Sequence, residues 1–323
     1  MSFLYTNKHK LSVALAVWLA QDDYDYAKDE SIISATTLLK STKAICLAKQ
    51  NTTLSKQVDL SDLVASRMGT ALHDSIERSW LSKKLPETLA ALGYGNVTKK
   101  IVINPTELTS GEIPIYLEQR SIRKVGNLKV SGKFDICIDG KLGDYKSTSV
   151  WKLKFGDGQD YILQGSIYRW LNPEIITEDK LDIHYIFTDW SKQKALQDSK
   201  YPQTKALTKE YRLLSLEEID SWITNKIQAI EDNLSVPEEQ MPECTGKELW
   251  ARPTVYKYYK NPSKLTRAIK NFDSYDEALI RQGQDGNVGI VKEVKGHVGA
   301  CIYCNVVGIC EQYQQLLSEG RIK

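Results

Sequence analysis

Two aspartates lie on either side of an Asp-Gly dipeptide in one short stretch of this sequence, FDICIDGKLGDYK (134–146). An Asp-Gly pair between strand-like residues is a strong signal for a two-residue hairpin turn. With Asp139 and Gly140 as the turn, counting outward places Asp135 directly opposite Asp144. The two aspartates then form a non-hydrogen-bonded pair of the antiparallel ladder, the type of pair in which side chains approach most closely. The pattern therefore predicts two carboxylates that face each other on one hairpin.

Facing carboxylates suit a divalent cation. Like charges opposite each other destabilise a sheet, and Mg²⁺ prefers hard oxygen ligands. Lys146, two residues after Asp144, is predicted to project from the same face, and the other face is predicted to be core, formed by Phe134, Ile136, Ile138 and Tyr145. A metal-activated water beside a lysine suits phosphodiester hydrolysis. The alternative for a bare Asp-x-Lys is a surface hairpin with solvated charges.

Motifs around this hairpin resemble those of RecB-type PD-(D/E)XK nucleases. Gly-Lys-Phe-Asp (132–135) and Asp-Tyr-Lys (144–146) are similar to the second and third motifs of that family. The segment GTALH, ending at His73, resembles a Gly-x-x-x-His motif whose histidine contributes to metal binding. The segment QGSIY (164–168) resembles a Gln-x-x-x-Tyr helix that faces the active site and the DNA. Glu118 resembles an acidic residue that some relatives place before Gly-x-x-Asp. The usual Pro-Asp dipeptide is Phe-Asp here, which leaves the carboxylate in place.

The resemblance implies a restriction-endonuclease-like α/β core, with a central mixed β-sheet flanked by helices. It implies a Mg²⁺ or Mn²⁺ site with the ligands His73, Asp135 and Asp144, in which Lys146 positions the attacking water. Gln164 and Tyr168 are expected to orient Lys146 and to contact substrate. The catalytic set is therefore expected to be Asp135, Asp144, Lys146, Gln164 and Tyr168.

Periodicity predicts the elements that position these residues. Apolar residues at helical spacing predict helices within 11–21, 33–50 and 60–83, and β-branched runs from Val97 onward predict a meander of strands. A helix over 159–171, a strand over 181–190 and an amphipathic helix over 214–234 follow. We expect an N-terminal helical region (1–60), a nuclease core (61–240) and a C-terminal cysteine-cluster segment (241–323) that packs on the core.

Four of the six cysteines lie in the C-terminal segment. Cys301, Cys304 and Cys310 are closely spaced, and Cys244 begins the pattern CTGKELW, which resembles phage members of the family. Four thiolates suit an iron-sulfur cluster or Zn²⁺. The resemblance favours a [4Fe-4S] cluster held by these four residues. Open alternatives are Cys46 as the fourth ligand, Zn²⁺ with His297 as a substitute ligand, and four reduced, packed cysteines.

The stretch KYYKNPSKLTRAIK (257–270) carries basic residues and two tyrosines without an acidic residue. Such a stretch can neutralise phosphates and stack bases. It predicts DNA contacts, and a solvated basic helix face is the alternative. The DNA-binding residues are expected to be Lys257, Lys260, Lys264 and Arg267.

The net charge neither requires nor excludes a polyanionic partner, because 43 Lys and Arg against 41 Asp and Glu give +2 over 323 residues. Any surface that binds nucleic acid must therefore be local. The apolar stretch Leu11–Ala20 is too short to span a bilayer and is predicted to be a buried helix. We expect a cytoplasmic protein, of a bacterium or a phage-infected host, without membrane insertion.

The expected activity is a DNA exonuclease of phage or mobile-element recombination and repair that acts on ends or single strands, with a recombinase or single-strand-binding protein as partner. The alternatives are a structure-specific or sequence-tolerant endonuclease and a non-catalytic DNA-binding or assembly subunit.

Overall fold

The computed structural model describes residues 4–22, 29–52 and 57–322. The chain divides into two compact units, the first formed by Met1–Leu39 and Thr52–Ala229 and the second by Lys40–Asn51 and Ile230–Lys323. The first sixty residues, expected to form one helical region, contribute to both units.

The strands of the first unit are β1 (Leu4–Thr6), β2 (Ile32–Ser34), β3 (Gln57–Asp59), β4 (Ile101–Ile103), β5 (Ile113–Val125), β6 (Leu128–Ile138), β7 (Lys141–Thr148), β8 (Lys180–Phe187) and β9 (Ala206–Arg212). Seven of them form one mixed sheet in the order β4-β5-β6-β7-β8-β9, with β2 paired to β6. Strands β5, β6 and β7 are antiparallel neighbours, whereas β8 runs parallel to β7. The fold is α/β, with a mixed sheet flanked by helices.

The α-helices in the described residues are α1 (Val13–Ala20), α2 (Ala35–Leu38), α3 (Thr42–Gln50), α4 (Val64–Trp80), α5 (Leu85–Ala91), α6 (Val150–Phe155), α7 (Gln159–Leu171), α8 (Lys192–Gln197), α9 (Leu216–Asn233), α10 (Tyr275–Gln284) and α11 (Glu311–Ser318). The predicted bounds of α7 agree with the structure. The predicted start of α9 is also confirmed, because the Ser215 hydroxyl accepts the Glu218 amide N–H and the Glu218 carboxylate accepts the Ser215 amide N–H.

The predicted hairpin register is confirmed between β6 and β7. Ile138 pairs with Lys141, Cys137 with Leu142 and Ile136 with Gly143, and Asp139 and Gly140 form the turn with positive φ. Positive φ at both turn residues is the geometry that an Asp-Gly pair favours. The backbone of this hairpin next to the turn is therefore the one that its Asp-Gly sequence predicts.

Helix α7 packs closely on the sheet because two glycines leave room for it. A Cβ on Gly132 of β6 would lie 2.8 Å from the Tyr168 ring, and a Cβ on Gly165 would lie 2.8 Å from Leu181. Both distances are shorter than real carbon contacts. Glycine at these positions therefore sets the distance between α7 and the strands of the site.

Two burial predictions were wrong. Helix α1 was expected to be buried, but Val13 and Val17 are 79% and 61% exposed and Leu19 alone among its residues is buried. Ile138 was expected in the core but is exposed, because it lies beside the hairpin turn at the end of β6. None of the helices in the described part of the chain has the length and apolar character to cross a membrane.

The second unit contains a three-stranded antiparallel sheet that the sequence analysis did not predict. Its strands are β10 (Val255–Tyr259), β11 (Lys270–Phe272) and β12 (Ile290–Val294), in the order β11-β10-β12. Tyr258, Phe272 and Ala278 of α10 form its buried cluster. The cysteine-bearing segment, α11 and α3 belong to the same unit.

Candidate active site and cysteine centre

Three side chains of the first unit bring potential metal-ligand atoms together. One atom each from His73 on α4, Glu118 on β5 and Asp135 on β6 lie within 4.8 Å of one another. The Nδ1 atom of His73 is 3.4 Å from Oδ1 of Asp135. Imidazole nitrogen and carboxylate oxygen together suit divalent cations such as Mn²⁺, and carboxylates suit Mg²⁺. The residues present fit a divalent cation.

A backbone carbonyl orients the His73 ring. Nε2 of His73 lies 3.0 Å from the carbonyl oxygen of Tyr145. Because a carbonyl can only accept, Nε2 carries the proton and donates it there. In the neutral ring the lone pair is therefore on Nδ1, the nitrogen that faces Asp135, and in the protonated ring Nδ1 donates to that carboxylate. A histidine ligand held by its other nitrogen in this way is typical of metal sites.

Asp144 and Lys146 form a close pair on β7. Nζ of Lys146 lies 2.6 Å from Oδ2 of Asp144, and the Asp144 carboxylate is buried. The contact is therefore a close ion pair in which the ammonium compensates the charge of a buried carboxylate.

The aspartates were predicted to face each other, and their carboxylates instead turn to different partners. The β6–β7 ladder ends at Ile136 and Gly143, one pair before the aspartates. Oδ2 of Asp135 accepts the amide N–H of Tyr145 at 2.9 Å, while Asp144 contacts Lys146. Asp144 does not belong to the 4.8 Å group formed by His73, Glu118 and Asp135. Its predicted role as a metal ligand stays a prediction.

Burial and neighbouring charges shift the pKa values of the site's side chains. Burial raises the pKa of Asp144 to about 6, against the attraction of Lys146. Burial also opposes ionisation of Asp135, but the hydrogen bond and charge of His73 outweigh it and lower the pKa of Asp135. Burial would lower the pKa of Lys146, yet Asp144 and Asp135 raise it. Lys146 is therefore a cation at neutral pH and a donor of hydrogen bonds.

The predicted helix pair lies on α7. Nε2 of Gln164 donates a 2.7 Å hydrogen bond to the Tyr168 hydroxyl, and the Tyr168 ring packs against Gly132. The aromatic neighbour of Lys146 is Tyr161, whose ring centre lies 5.8 Å from Nζ. Orientation of Lys146 by Gln164 and Tyr168 stays a prediction, whereas Tyr161 is a neighbour that the sequence analysis missed. Its position two turns before Tyr168 on the predicted helix was the available signal.

Glu118 occupies a position of unusual backbone geometry. Its φ is +50°, and the β5–β6 pairing is interrupted between Leu117 and Gln119. The left-handed region is costly for a residue with a side chain, and such strain clusters at functional sites. The carboxylate contacts Nζ of Lys133 at 2.5 Å, and burial raises its pKa. Lys133, within the Gly-Lys-Phe-Asp motif, therefore compensates the charge of a candidate ligand.

Four cysteines of the second unit line one small cavity. Cys244, Cys301, Cys304 and Cys310 surround about 30 Å³ of space together with Lys43. The other cysteine in question, Cys46, donates its thiol to the carbonyl of Ile230 and does not line the cavity. The predicted set with Cys244 as the fourth residue is thus the one that shares a cavity.

The donor set fits a thiolate-bound centre. Burial raises the pKa of Cys244 and Cys301 and raises that of Cys310 to about 11, so the thiols are neutral unless a cation compensates their charge. Among the described residues, no three of these Sγ atoms lie within 4.8 Å of one another. Their shared cavity and their thiol chemistry are what fit a soft metal centre.

The predicted DNA-binding residues lie on a strand and a loop. Lys257 is on β10, and Lys260, Lys264 and Arg267 are exposed in the connection from β10 to β11. The stretch does not form the helix that the alternative of a solvated basic face assumed, and its predicted contacts with DNA stay a prediction. Lys257 also pairs across the sheet with Lys292 of β12. Cations directly opposite each other destabilise a sheet, so an anion at this face would relieve the repulsion.

Comparison with known proteins gives little further information. No family model matches the chain, and no curated protein matches it. A solved structure titled "Crystal structure of SSO0001" matches 71% of this chain and 90% of that chain, with 17% sequence identity and a TM-score of 0.42. A similarity at this level establishes neither a family nor a function.

Proposed function

We propose that this protein is a metal-dependent DNA exonuclease that hydrolyses phosphodiester bonds. The observation that carries the proposal is the grouping of the His73, Glu118 and Asp135 donor atoms in the same unit as the Lys146–Asp144 ion pair. The RecB-type motifs in the sequence support DNA as the substrate and support a role in phage or mobile-element recombination and repair.

His73, Glu118 and Asp135 would hold Mg²⁺ or Mn²⁺, with the buried Asp144 carboxylate as a further candidate ligand. The cation, when bound, supplies Lewis-acid activation of the phosphodiester and of a water molecule. The Lys146 ammonium holds the attacking water by hydrogen bonding and balances the negative charge that develops on the phosphate. Without a bound cation, Asp144 and Asp135 raise the pKa of Lys146 and keep it an ammonium at neutral pH.

A [4Fe-4S] cluster on Cys244, Cys301, Cys304 and Cys310 is the cofactor that we propose for the second unit. Their common cavity supports a shared centre, and the resemblance to nucleases with such cysteines favours a cluster over Zn²⁺. Such a cluster would tie the cysteine segment to α3, because Lys43 of α3 lines the same cavity. Absorption near 400 nm after anaerobic purification would be expected, and a colourless protein containing one zinc would contradict the cluster.

The nuclease assignment is tested by cleavage of labelled linear duplex, single-stranded and closed circular DNA with Mg²⁺ or Mn²⁺. We expect cleavage of linear substrates and none of the closed circle. The variants Asp144→Asn and Lys146→Met should lower the rate by about 10²-fold or more. Cleavage of the closed circle would favour the endonuclease alternative.

A matched control is available on the neighbouring strand β8. Asp182 forms an ion pair with Lys141 at 2.8 Å, so Asp182→Asn removes the same kind of charge in the same sheet. This variant should retain wild-type cleavage. Wild-type rates in both Asp144→Asn and Lys146→Met would refute the assignment, and the absence of any cleavage by the wild-type protein would favour a non-catalytic subunit.

A further inference from the structure

Helix α6, directly after β7, presents two large aromatic rings to solvent. Trp151 and Phe155 are 65% and 64% exposed. Their rings stack on each other with centroids 4.4 Å apart and planes 21° apart. Side chains of this size are costly to leave in water when they are neighbours. The stacked pair forms a flat apolar surface suited to another planar ring.

Lysines lie next to this aromatic pair. Lys152 and Lys154 belong to the same helix, which contains no acidic residue, and Lys154 and Lys194 line a groove of about 260 Å³ beside Trp151. Asp189 and Asp198 also line the groove, but a carboxylate oxygen of Asp189 already accepts the amide N–H of Val150. Rings with ammonium groups on the same helix match a ligand that combines planar bases with phosphates.

One ring connects this helix to the candidate active site. Nζ of Lys152 lies 5.9 Å from the centre of the Tyr161 ring, and Nζ of Lys146 lies 5.8 Å from the same centre. All these residues belong to the first unit. A chain bound along α6 would therefore lie beside the residues of the proposed hydrolysis.

We propose that Trp151, Phe155, Lys152 and Lys154 form a docking platform for single-stranded DNA, with bases stacked on the rings and phosphates on the lysines. The proposal deepens the proposed nuclease function and rests on it for the choice of DNA. Bases within a duplex have their faces covered by neighbouring bases, whereas bases of a single strand can stack on aromatic side chains. The platform therefore selects single strands or frayed ends.

The test measures binding of fluorescein-labelled dT20 and of an abasic oligonucleotide of the same length by anisotropy, in EDTA to prevent cleavage. The wild-type protein should bind dT20 at least about 10-fold more tightly than the abasic strand, because base stacking adds to the phosphate contacts. The variant Trp151→Leu/Phe155→Leu should bind dT20 at least about 10-fold more weakly and bind the abasic strand as before. Lys152→Gln/Lys154→Gln should weaken the binding of both strands.

Tyr94→Leu is the matched control, because Tyr94 is 57% exposed in the same unit and lies outside α6. It should bind dT20 like the wild-type protein. Unchanged dT20 binding by the leucine double variant, with its circular dichroism intact, would overturn the platform. A fall in sedimenting mass in that variant would also overturn it, since the rings would then cover a second copy of the chain. If the wild-type protein has no nuclease activity but still prefers dT20 to the abasic strand, the proposed hydrolytic role is refuted and the proposed platform is not.

Discussion

Replacing Lys146 by Met removes the cation from the buried Asp144 carboxylate while keeping much of the side-chain volume. Breaking a buried pair commonly costs about 3–5 kcal/mol, because a charge remains without compensation. Asp144 can limit this cost by taking up a proton. At pH 7.5, protonating an aspartate from its ordinary pKa of 3.8 costs about 5 kcal/mol. That value is the largest amount by which burying an uncompensated Asp144 can lower the free energy of unfolding, because the side chain can always take up a proton instead.

The wild-type protein already bears part of this cost. With its pKa raised to about 6, ionised Asp144 lowers the free energy of unfolding by about 3 kcal/mol at pH 7.5. Lys146→Met can therefore add about 2 kcal/mol through Asp144. A raised carboxyl pKa destabilises the fold above that pKa, and the penalty disappears as the pH falls towards 3.8. At pH 5.0 Asp144 is mostly protonated in both proteins, and the added cost should be close to zero.

Urea denaturation of the two proteins at pH 7.5 and pH 5.0, in EDTA, measures this difference from the midpoint and slope of unfolding. The double variant Asp144→Asn/Lys146→Met is the control, because it removes both charges and should abolish the pH dependence of the difference. An equal loss of stability at both pH values, or no recovery in the double variant, would refute the reasoning that the lysine stabilises a buried carboxylate.

Three further predictions concern packing, ionisation and the cysteine centre. Gly132→Ala should lower the free energy of unfolding by about 1–3 kcal/mol, because its Cβ would press on the Tyr168 ring, and denaturation with an intact midpoint would contradict this packing. Mn²⁺ binding by calorimetry should weaken from pH 7.5 to pH 5.5, since Asp135 raises the pKa of His73 against the effect of burial and protons then compete for the ring nitrogen; pH-independent binding would exclude this ligand. Cys244→Ser should abolish the visible absorption of the anaerobic protein whereas Cys46→Ser should retain it, and the reverse result would exchange their roles.

Interactions between residues near each other in the sequence could be predicted well. The Asp139-Gly140 turn and the register that follows from it depend on backbone preferences of the residues themselves, and the Ser215–Glu218 cap depends on groups three positions apart. The bounds of α7 follow from its apolar spacing. In the second unit the same reasoning failed for β10–β12, because short strands with tyrosines and lysines carry little periodic signal.

The sequence by itself determined which residues could act, and the tertiary structure decided which of them meet. The hairpin register held for three pairs, and the two carboxylates contact different partners, His73 from α4 for Asp135 and Lys146 for Asp144. Glu118, whose own backbone in β5 is left-handed, also belongs to the group of His73 and Asp135. Cys244 and the three C-terminal cysteines likewise line one cavity because segments distant in the sequence pack together. Such pairings depend on packing across many residues, which local propensity and spacing do not encode.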